Sequence, residues 1–200
     1  MWALVESNSI TRVYTRPTAI TVGDVNYPAN IMSMWTASEL EAIGIYEVVN
    51  DNTNHKDGMF YKNGEETFTF ASGVVTRSYG VATARQLNDT LWAAEDLKPI
   101  GVSTGDTKEG LKSGHKWALK TTAGHKLAPF DWYTIRAADG GTAVPSAIAT
   151  YRTAVRTACH SMEAKIDAAA TVDELAALYV YNDDDPPITP LGVWPDLPTV

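Results

Sequence analysis

The pattern of apolar residues changes near residue 80, and this change restricts what the chain can fold into. Before it, short runs rich in β-branched and aromatic residues alternate with turn residues, which is typical of β-hairpins. After it, apolar residues recur at intervals of three and four, the spacing of one face of an α-helix. We therefore predict an α+β protein with a small β-rich module (residues 1–80), a helical hairpin module (residues 81–182) and an extended, acidic and proline-rich tail (residues 183–200).

Turn and cap signals place the elements of the first module. Ser7-Asn8-Ser9 joins two strand-like runs as a β-hairpin, and Asn63-Gly64 indicates a second hairpin. Thr36 and Glu39 form a capping-box pattern, in which the threonine oxygen accepts a hydrogen bond from the Glu39 amide and the carboxylate bonds back to the Thr36 amide. We expect a short helix from about Ala37 to Ile43.

Four helices are predicted after residue 80. The first two cover Ala82–Leu97 and Asp106–Leu127, and Asp106 with Glu109 opens the second as an N-cap. The third begins at Pro145, and its apolar residues make one stripe. The stripe consists of Ile148, Tyr151, Val155, Ala158, Met162 and Ile166. We expect it to pack against the second helix as an antiparallel hairpin, and Thr171 to cap a short last helix.

Charge and cysteine content argue against several classes of function. The net charge is −8, from 16 basic and 24 acidic residues, which argues against nucleic acid or an anionic membrane as the main partner. The single cysteine, Cys159, cannot form an internal disulfide, so the chain suits a reducing cytoplasm. No apolar run approaches the roughly 18 residues that a membrane span needs, and the start lacks the pattern of a signal peptide. We therefore expect a soluble protein that is neither exported nor cleaved.

No residue pattern predicts catalysis, a cofactor or a metal site. The four histidines lack the i+3 or i+4 pairing of a helical metal site, so solvated or capping roles are expected for them. The loop Gly101–Asp106 lacks the Gly-Lys-Ser/Thr ending of a phosphate-binding loop. Cys159 lies on or beside the apolar stripe, where a small buried hydrophobe is the expected role rather than a nucleophile.

Four lysines repeat every fourth residue, at Lys108, Lys112, Lys116 and Lys120. This spacing puts all four on one face of the predicted Asp106–Leu127 helix, although like charges at i,i+4 destabilise a helix slightly. Two interpretations stay open: a solvated face, or a basic strip that binds an acidic surface. That surface belongs either to a partner or to this chain.

Trp194 is followed by Pro195 in the tail, outside every predicted helix and strand. A tryptophan between prolines has no core of its own, so we expect it to dock. It docks either back onto this chain or onto a partner, where tryptophan is a frequent binding hot spot.

Five residues of the helical module form a pattern that resembles the one in bacteriophage tail assembly chaperone-like and tail-fibre-associated proteins. These are Asp131, Trp132, Tyr151, Arg152 and Arg156, and Trp194-Pro195 matches the Trp-Pro segment with which such proteins often end. The resemblance covers roughly residues 107–198, and the segments Trp2–Glu6 and Tyr27–Asn30 are similar to the start of tail-fibre-associated proteins. It implies a partner in a tail-fibre or baseplate protein, and a location in the host cytoplasm during assembly or in the virion tail.

The same residues also have a structural interpretation. Asp131 can cap or pair with Arg152 or Arg156, while Trp132 and Tyr151 close a helical hairpin. From the resemblance we expect a non-enzymatic phage tail protein, which acts as an assembly chaperone or is retained as a virion subunit. Self-association is a further option. The alternative is a small hydrolase-like enzyme whose site has no recognisable motif.

Overall fold

The computed structural model of the chain describes residues 1–199. They form two compact units, Met1–Thr83 and a second that begins at Ala84. Strands dominate the first unit and long helices the second, which confirms the α+β class. None of the helices in the described range combines the length and apolar character needed to cross a membrane.

The first unit contains eight strands and two short helices. In chain order these are β1 (Trp2–Glu6), β2 (Ser9–Tyr14), β3 (Ile20–Val22), β4 (Val25–Tyr27), α1 (Ile31–Met34), α2 (Ala37–Ala42), β5 (Ile45–Asn50), β6 (Tyr61–Lys62), β7 (Glu66–Ala71) and β8 (Val74–Tyr79). Five of the strands form one sheet in the order β2-β1-β5-β8-β7. Its pairs are antiparallel except for the parallel pair β5–β8. Strands β3 and β4 form a separate hairpin.

The predicted hairpin at Ser7-Asn8-Ser9 is confirmed as the turn between β1 and β2. Ser7 and Asn8 have φ angles of 50° and 62°, the left-handed conformation that a type I′ turn requires at both central positions. Asparagine tolerates this region because its side chain bonds locally. The turn therefore follows from residues that are neighbours in sequence.

The five-stranded sheet buries apolar side chains on both faces. Adjacent residues of β1 show this directly, since Ala3 and Leu4 point to opposite faces and belong to different core clusters. Leu4 packs in the larger cluster, to which α2 contributes Leu40. The predicted capping box of α2 is confirmed: Thr36 accepts from the Glu39 amide while the Glu39 carboxylate accepts from the Thr36 amide at 2.8 Å.

The hairpin predicted at Asn63-Gly64 is wrong. The turn that joins β7 to β8 is Ser72-Gly73, whose φ angles are 52° and 78°. The Asn63 side chain instead accepts from the Lys56 amide and donates to the Lys56 carbonyl, both at 2.8 Å. Gly64 lies so close to the backbone of Gly80 that a Cβ would come within 2.6 Å of its carbonyl carbon. Close packing against a distant segment therefore explains why this position is a glycine.

The second unit contains four helices and short strands. In chain order, starting from the junction of the two units, the elements are β9 (Thr83–Ala84), β10 (Thr90–Leu91), β11 (Thr107–Lys108), α3 (Leu111–Leu127), a 3-10 turn (Ala128–Phe130), α4 (Asp131–Ala138), α5 (Ser146–Ala168) and α6 (Val172–Ala177). Strands β10 and β11 pair antiparallel. Thr171 caps α6 by accepting from the Glu174 amide at 3.1 Å, as expected.

Helices α3 and α5 run antiparallel. The start of α3 contacts the end of α5, since Lys116 Nζ lies 2.8 Å from Asp167 Oδ1. The end of α3 contacts the start of α5, since Arg152 donates to the Leu127 carbonyl at 3.3 Å. The predicted stripe of α5 is buried, except that Cys159 takes the place expected for Ala158.

The helix predicted over Ala82–Leu97 is wrong, because this segment caps α3 instead. The Leu111 and Lys112 amides donate to the carbonyls of Gln86 and Leu87, at 2.9 and 3.0 Å. These carbonyls satisfy amides that every helix leaves free at its N-terminus. The segment that the pattern assigned to a helix thus has the backbone of a capping loop.

The predicted start of the second helix at Asp106 is also wrong, since α3 begins at Leu111 with Gly110 as N-cap. The capping carboxylate comes from Asp89, whose two oxygens accept from the Gly110 amide and the Ser113 hydroxyl, each at 2.8 Å. These bonds, the amide first, lower the pKa of Asp89. Asp106 accepts instead from the Ser103 amide within its own turn, at 2.7 Å.

Candidate functional site

An open groove of about 820 Å³ runs along the outward side of α5. One wall is the helix and the other is the C-terminal segment Val193–Pro195. The helix contributes only small side chains: Ala149, Thr150, Thr153, Ala154, Thr157, Ala158 and Ser161. Among the described residues that line the groove, none is charged. The groove can therefore receive an apolar side chain or helix face without stripping water from an ion.

The pattern of α5 places this groove opposite the core. Two residues along a helix correspond to about 200° around its axis, so Thr153 and Thr157 point away from the side on which Val155 and Cys159 are buried. The Thr153 hydroxyl donates to the Ala149 carbonyl at 3.1 Å, a bond that satisfies the donor within the helix and presents the methyl group outward. Threonine thus lines the groove as a small, largely apolar residue.

The tail wall is held by bonds to this chain's own helices. Lys165 of α5 donates to the carbonyls of Pro190 and Leu191, at 2.8 and 3.0 Å. The Leu191 amide donates to the Leu178 carbonyl at 2.9 Å, and the Leu191 side chain is buried. Trp194 is partly buried, with the Lys126 ammonium 5.9 Å from its ring centroid. Of the two docking options for Trp194, the structure shows the contact with its own chain.

The predicted row of four lysines does not exist as one helix face. Lys108 lies in β11, before α3 begins, with its ammonium 3.3 Å from Asp96 and 4.5 Å from the Trp92 ring. Lys108 lies outside the helix because Asp89, not Asp106, caps it. The prediction that these lysines share one helical strip is therefore wrong.

The other three lysines contact acceptors of this chain. Lys112 donates to the Asp167 carbonyl at 2.9 Å, Lys116 pairs with the Asp167 carboxylate, and Lys120 lies 3.1 Å from Glu163. The bond to Asp167 raises the pKa of Lys116. This chain's own acidic residues supply the partner surface for these lysines, the option that the sequence left open.

The motif residues form a structural joint between α3, α4 and α5. Arg152 pairs with Asp131 at 2.6 Å, and the Arg152 side chain is only 12% exposed. The ring that packs against Tyr151 is that of Phe130, with centroids 5.3 Å apart. Trp132 instead stacks on Tyr133, at 3.8 Å. The expected Asp131–Arg152 pair is confirmed, whereas the expected closure of the hairpin by Trp132 and Tyr151 is wrong.

A smaller cleft of about 290 Å³ lies between α3 and α5 and includes Cys159 and Arg156. His160 and Glu163 also line this cleft. Burial and the neighbouring Glu163 carboxylate raise the pKa of the Cys159 thiol, which favours the unreactive thiol over the thiolate. The arrangement fits the predicted role of Cys159 as a small buried residue.

Two histidines pack against tyrosine rings, His55 on Tyr79 and His115 on Tyr179, each with centroids 4.8 Å apart. Burial lowers the pKa of His115 and raises that of Tyr179 to about 12. Within residues 1–199, no group of three or more potential ligands among His, Cys, Asp and Glu is placed to hold a metal ion.

Comparisons with models of protein families, with curated proteins and with solved structures found no match to this chain.

The outward face of α3 carries a feature that the sequence did not predict. Trp117 lies there with 70% of its surface exposed, flanked by Gly114, Ala118 and Thr121. Lys120, three residues after Trp117, borders this face and is 65% exposed, with its ammonium 3.1 Å from Glu163. The signal was present in the sequence, since the residues between the lysines are small, aromatic or hydroxyl-bearing.

Proposed function

We propose that this chain is a non-enzymatic bacteriophage tail protein that binds a tail-fibre or baseplate protein through the α5 groove. The observation that carries the proposal is the uncharged groove with Trp194 and Pro195 in its wall. In this proposal the α3–α5 hairpin is the platform, and the proline-rich tail completes the binding surface. The binding residues Trp194 and Pro195 act together with the small face of α5 rather than as a free tail.

The composition of the groove suits protein binding. Charged residues are depleted at the centre of protein interfaces, while aromatic residues are enriched there. A solvent-facing side of a helix ordinarily carries charged residues, whereas the residues of α5 that line the groove are alanine, threonine and serine. A partner that presents one apolar helix face would fit this surface, which is a recurrent form of peptide recognition.

The assignment to a phage tail is supported by the resemblance of the joint and tail residues. Asp131 and Arg152 form the ion pair of the joint, with the Arg152 side chain largely buried, and the Trp-Pro segment lies in the groove wall. The acidic excess of the chain makes a protein partner more favourable than a nucleic acid. Trp194 and Pro195 are thus the two residues of the resemblance that line the groove.

The test is direct binding between this protein and the fibre and baseplate proteins of the phage that carries it. Thr157→Glu places a charge at the centre of the groove and should weaken binding at least about tenfold, because the charge would be desolvated on docking. Thr134→Glu, on the exposed side of α4, is the matched control and should bind like the wild type. Equal binding by all three proteins, measured by calorimetry, would remove the groove from the proposal.

The chaperone and structural roles differ in where the protein is found. A retained subunit should occur in purified particles at fixed copy number, whereas a chaperone should be present in the host cytoplasm during assembly and absent from the particle. Quantitative mass spectrometry of purified particles distinguishes the two. Absence from particles together with no binding to any tail protein would contradict the proposal.

A further inference from the structure

We infer that the cleft between α3 and α5 binds a carboxylate carried on a short apolar chain, with Arg156 as the residue that recognises the charge. This site is separate from the α5 groove, and its ligand does not depend on the proposed function. Three properties of the cleft select such a ligand: an unpaired cation, an apolar floor and a space left open by a glycine.

Arg156 is the cation of the cleft that is available to a ligand. One helical turn earlier, Arg152 is held by the Asp131 carboxylate at 2.6 Å and by the Leu127 carbonyl at 3.3 Å. Arg156 lines the cleft, and within residues 1–199 its side chain forms no hydrogen bond or ion pair. A guanidinium presents parallel N–H donors that match the two oxygens of a carboxylate. Arg156 can therefore bind a carboxylate that this chain does not supply.

The other charges of the cleft largely neutralise one another. Lys120 Nζ lies 3.1 Å and His160 Nδ1 lies 3.5 Å from the Glu163 carboxylate. With histidine neutral, the lining residues carry two positive charges and one negative charge, and 2 − 1 leaves +1, although the whole chain carries −8. The surplus is the charge of Arg156. The cleft therefore favours a ligand with one negative charge, and Glu163 disfavours a second one.

The floor of the cleft is apolar. Ala123 of α3 and Cys159 of α5 are both buried, and Leu127 lines the cleft beside them. Because burial raises the pKa of the Cys159 thiol, Cys159 contributes a small neutral surface. An aliphatic chain placed on this floor is removed from water, which is favourable, whereas an inorganic anion gains nothing there. The floor therefore selects an organic acid over a phosphate ion.

Gly124 leaves the cleft open on the α3 side. It lines the cleft, and outside its own turn of the helix a Cβ at this position would have nothing within 4 Å. The volume of about 290 Å³ lies at the lower end of the roughly 300–1,000 Å³ that is usual for small-molecule sites. The cleft therefore suits a chain of a few carbons rather than a nucleotide.

The test is an NMR titration of the full-length protein with four probes: hexanoate, hexanamide, N-acetyl-leucine and inorganic phosphate. Hexanoate should bind with a Kd of about 1 mM, as expected for a ligand of this size, and shift the amide signals of residues 120–127 and 156–163. Hexanamide has the same chain without the charge and should bind at least about tenfold more weakly, as should phosphate. The ranking of hexanoate and N-acetyl-leucine distinguishes a free acid from the last residue of a peptide as the source of the carboxylate.

Two variants remove the charge and the space separately. Arg156→Gln removes the cation but keeps the space, and Gly124→Leu fills the space but keeps the cation. Each should weaken hexanoate binding at least about tenfold, and in Arg156→Gln hexanoate and hexanamide should bind alike. Arg156→Lys keeps the charge without the paired donors, so its affinity should lie between those of the wild type and Arg156→Gln. Lys126→Gln removes a cation of α3 that does not line the cleft and should bind like the wild type.

Three results would overturn the inference. These are no saturable binding of either acid up to about 20 mM, wild-type affinity in Arg156→Gln, or amide shifts centred on the tail wall of the α5 groove. The comparison of hexanoate with hexanamide uses the wild type alone, so it decides the question even if a variant unfolds. None of these results bears on partner binding by the α5 groove, whose described lining includes neither Arg156 nor Gly124.

Discussion

Helices α2 and α3 lie in different units of the molecule and begin in different ways. The N-terminus of α2 is capped by Thr36 and Glu39, two residues that are three positions apart. That of α3 is capped by Asp89 and by the carbonyls of Gln86 and Leu87, which lie more than 20 positions upstream of the amides they bind. The same physical need, to satisfy free amides, is met locally in one unit and by a distant segment in the other.

This difference has a consequence for stability. A local cap forms as soon as its own turn forms, whereas the α3 cap requires a closed loop and therefore an ordered segment 86–89. Changes that act on long-range packing should disturb the helical unit strongly, and changes to the cap of α2 should have a small, local effect. Three predictions test this contrast, in order of decreasing effect.

The largest effect is expected for Val155→Asp. Val155 is fully buried in the α5 stripe, so the substitution buries an unpaired carboxylate and should destabilise the helical unit by about 4 kcal/mol or more. Thr153→Asp, on the exposed side of the same helix, is the control and should cost far less. Thermal melts followed by circular dichroism measure both. Equal melting temperatures would show that the stripe is not the core.

A smaller but still large effect is expected for Gly110→Ala. A Cβ at this position would lie 2.5 Å from the Asn88 carbonyl oxygen and 2.7 Å from that of Leu87, so the capping segment would have to move, at a cost of about 3 kcal/mol. Gly114→Ala, one turn later, meets open space and should stabilise the helix by about 0.5–1 kcal/mol. Urea denaturation of the two variants should shift the midpoint in opposite directions. Shifts in the same direction would contradict the long-range cap.

The smallest effect is expected from the caps themselves. Thr36→Ala should cost about 1 kcal/mol and act on α2 alone. Asp89→Ala should also loosen residues 86–89, because the carboxylate joins them to Gly110 and Ser113. Hydrogen exchange measures the difference as lost protection of backbone amides. In Thr36→Ala the loss should be confined to α2. In Asp89→Ala it should extend over both the 86–89 segment and the start of α3. Loss confined to Ser113 in the second variant would show that the cap is as local as that of α2.

The acid response of these caps has a definite sign. Hydrogen bonds lower the pKa of Asp89 below its ordinary value of 3.8 and that of Glu39 below 4.5. A lowered folded-state pKa means that the stabilisation is present above the unfolded pKa and is lost as pH falls through the folded value. Protection of both helix starts should therefore persist at pH 5 and disappear only below those values. In Asp89→Ala the acid response at α3 should be absent.

The sequence predicted elements whose determinants are close together along the chain. The turn at Ser7-Asn8, the capping box of α2 and the stripe of α5 each depend on residues that are close in sequence, and the structure confirms them apart from Cys159 in place of Ala158. The segment Ala82–Leu97 has helical spacing, but its carbonyls bind the amides of α3, and no local pattern carries that information. The hydrogen bonds to α3, rather than the local helix propensity, therefore determine the conformation of this segment.

The candidate site was predictable only in part. Trp194 and Pro195 stood out because an aromatic residue between prolines needs a surface on which to dock. The groove itself depends on Lys165 binding the carbonyls of Pro190 and Leu191, a contact between segments that share no sequence pattern. The lysine row was misplaced because the start of α3 was misplaced. The error in the lysine row therefore followed from an error in the fold.

Cys159 gives the protein a built-in reporter of motion. It is the single thiol of the chain, and only 6% of it is exposed. Because Cys159 lines the cleft between α3 and α5, separation of the two helices exposes the thiol further, and its labelling rate under native conditions reports on that local opening. Any molecule that braces the two helices will slow the labelling. The labelling rate of this thiol can thus report docking without a probe attached to the surface that docks.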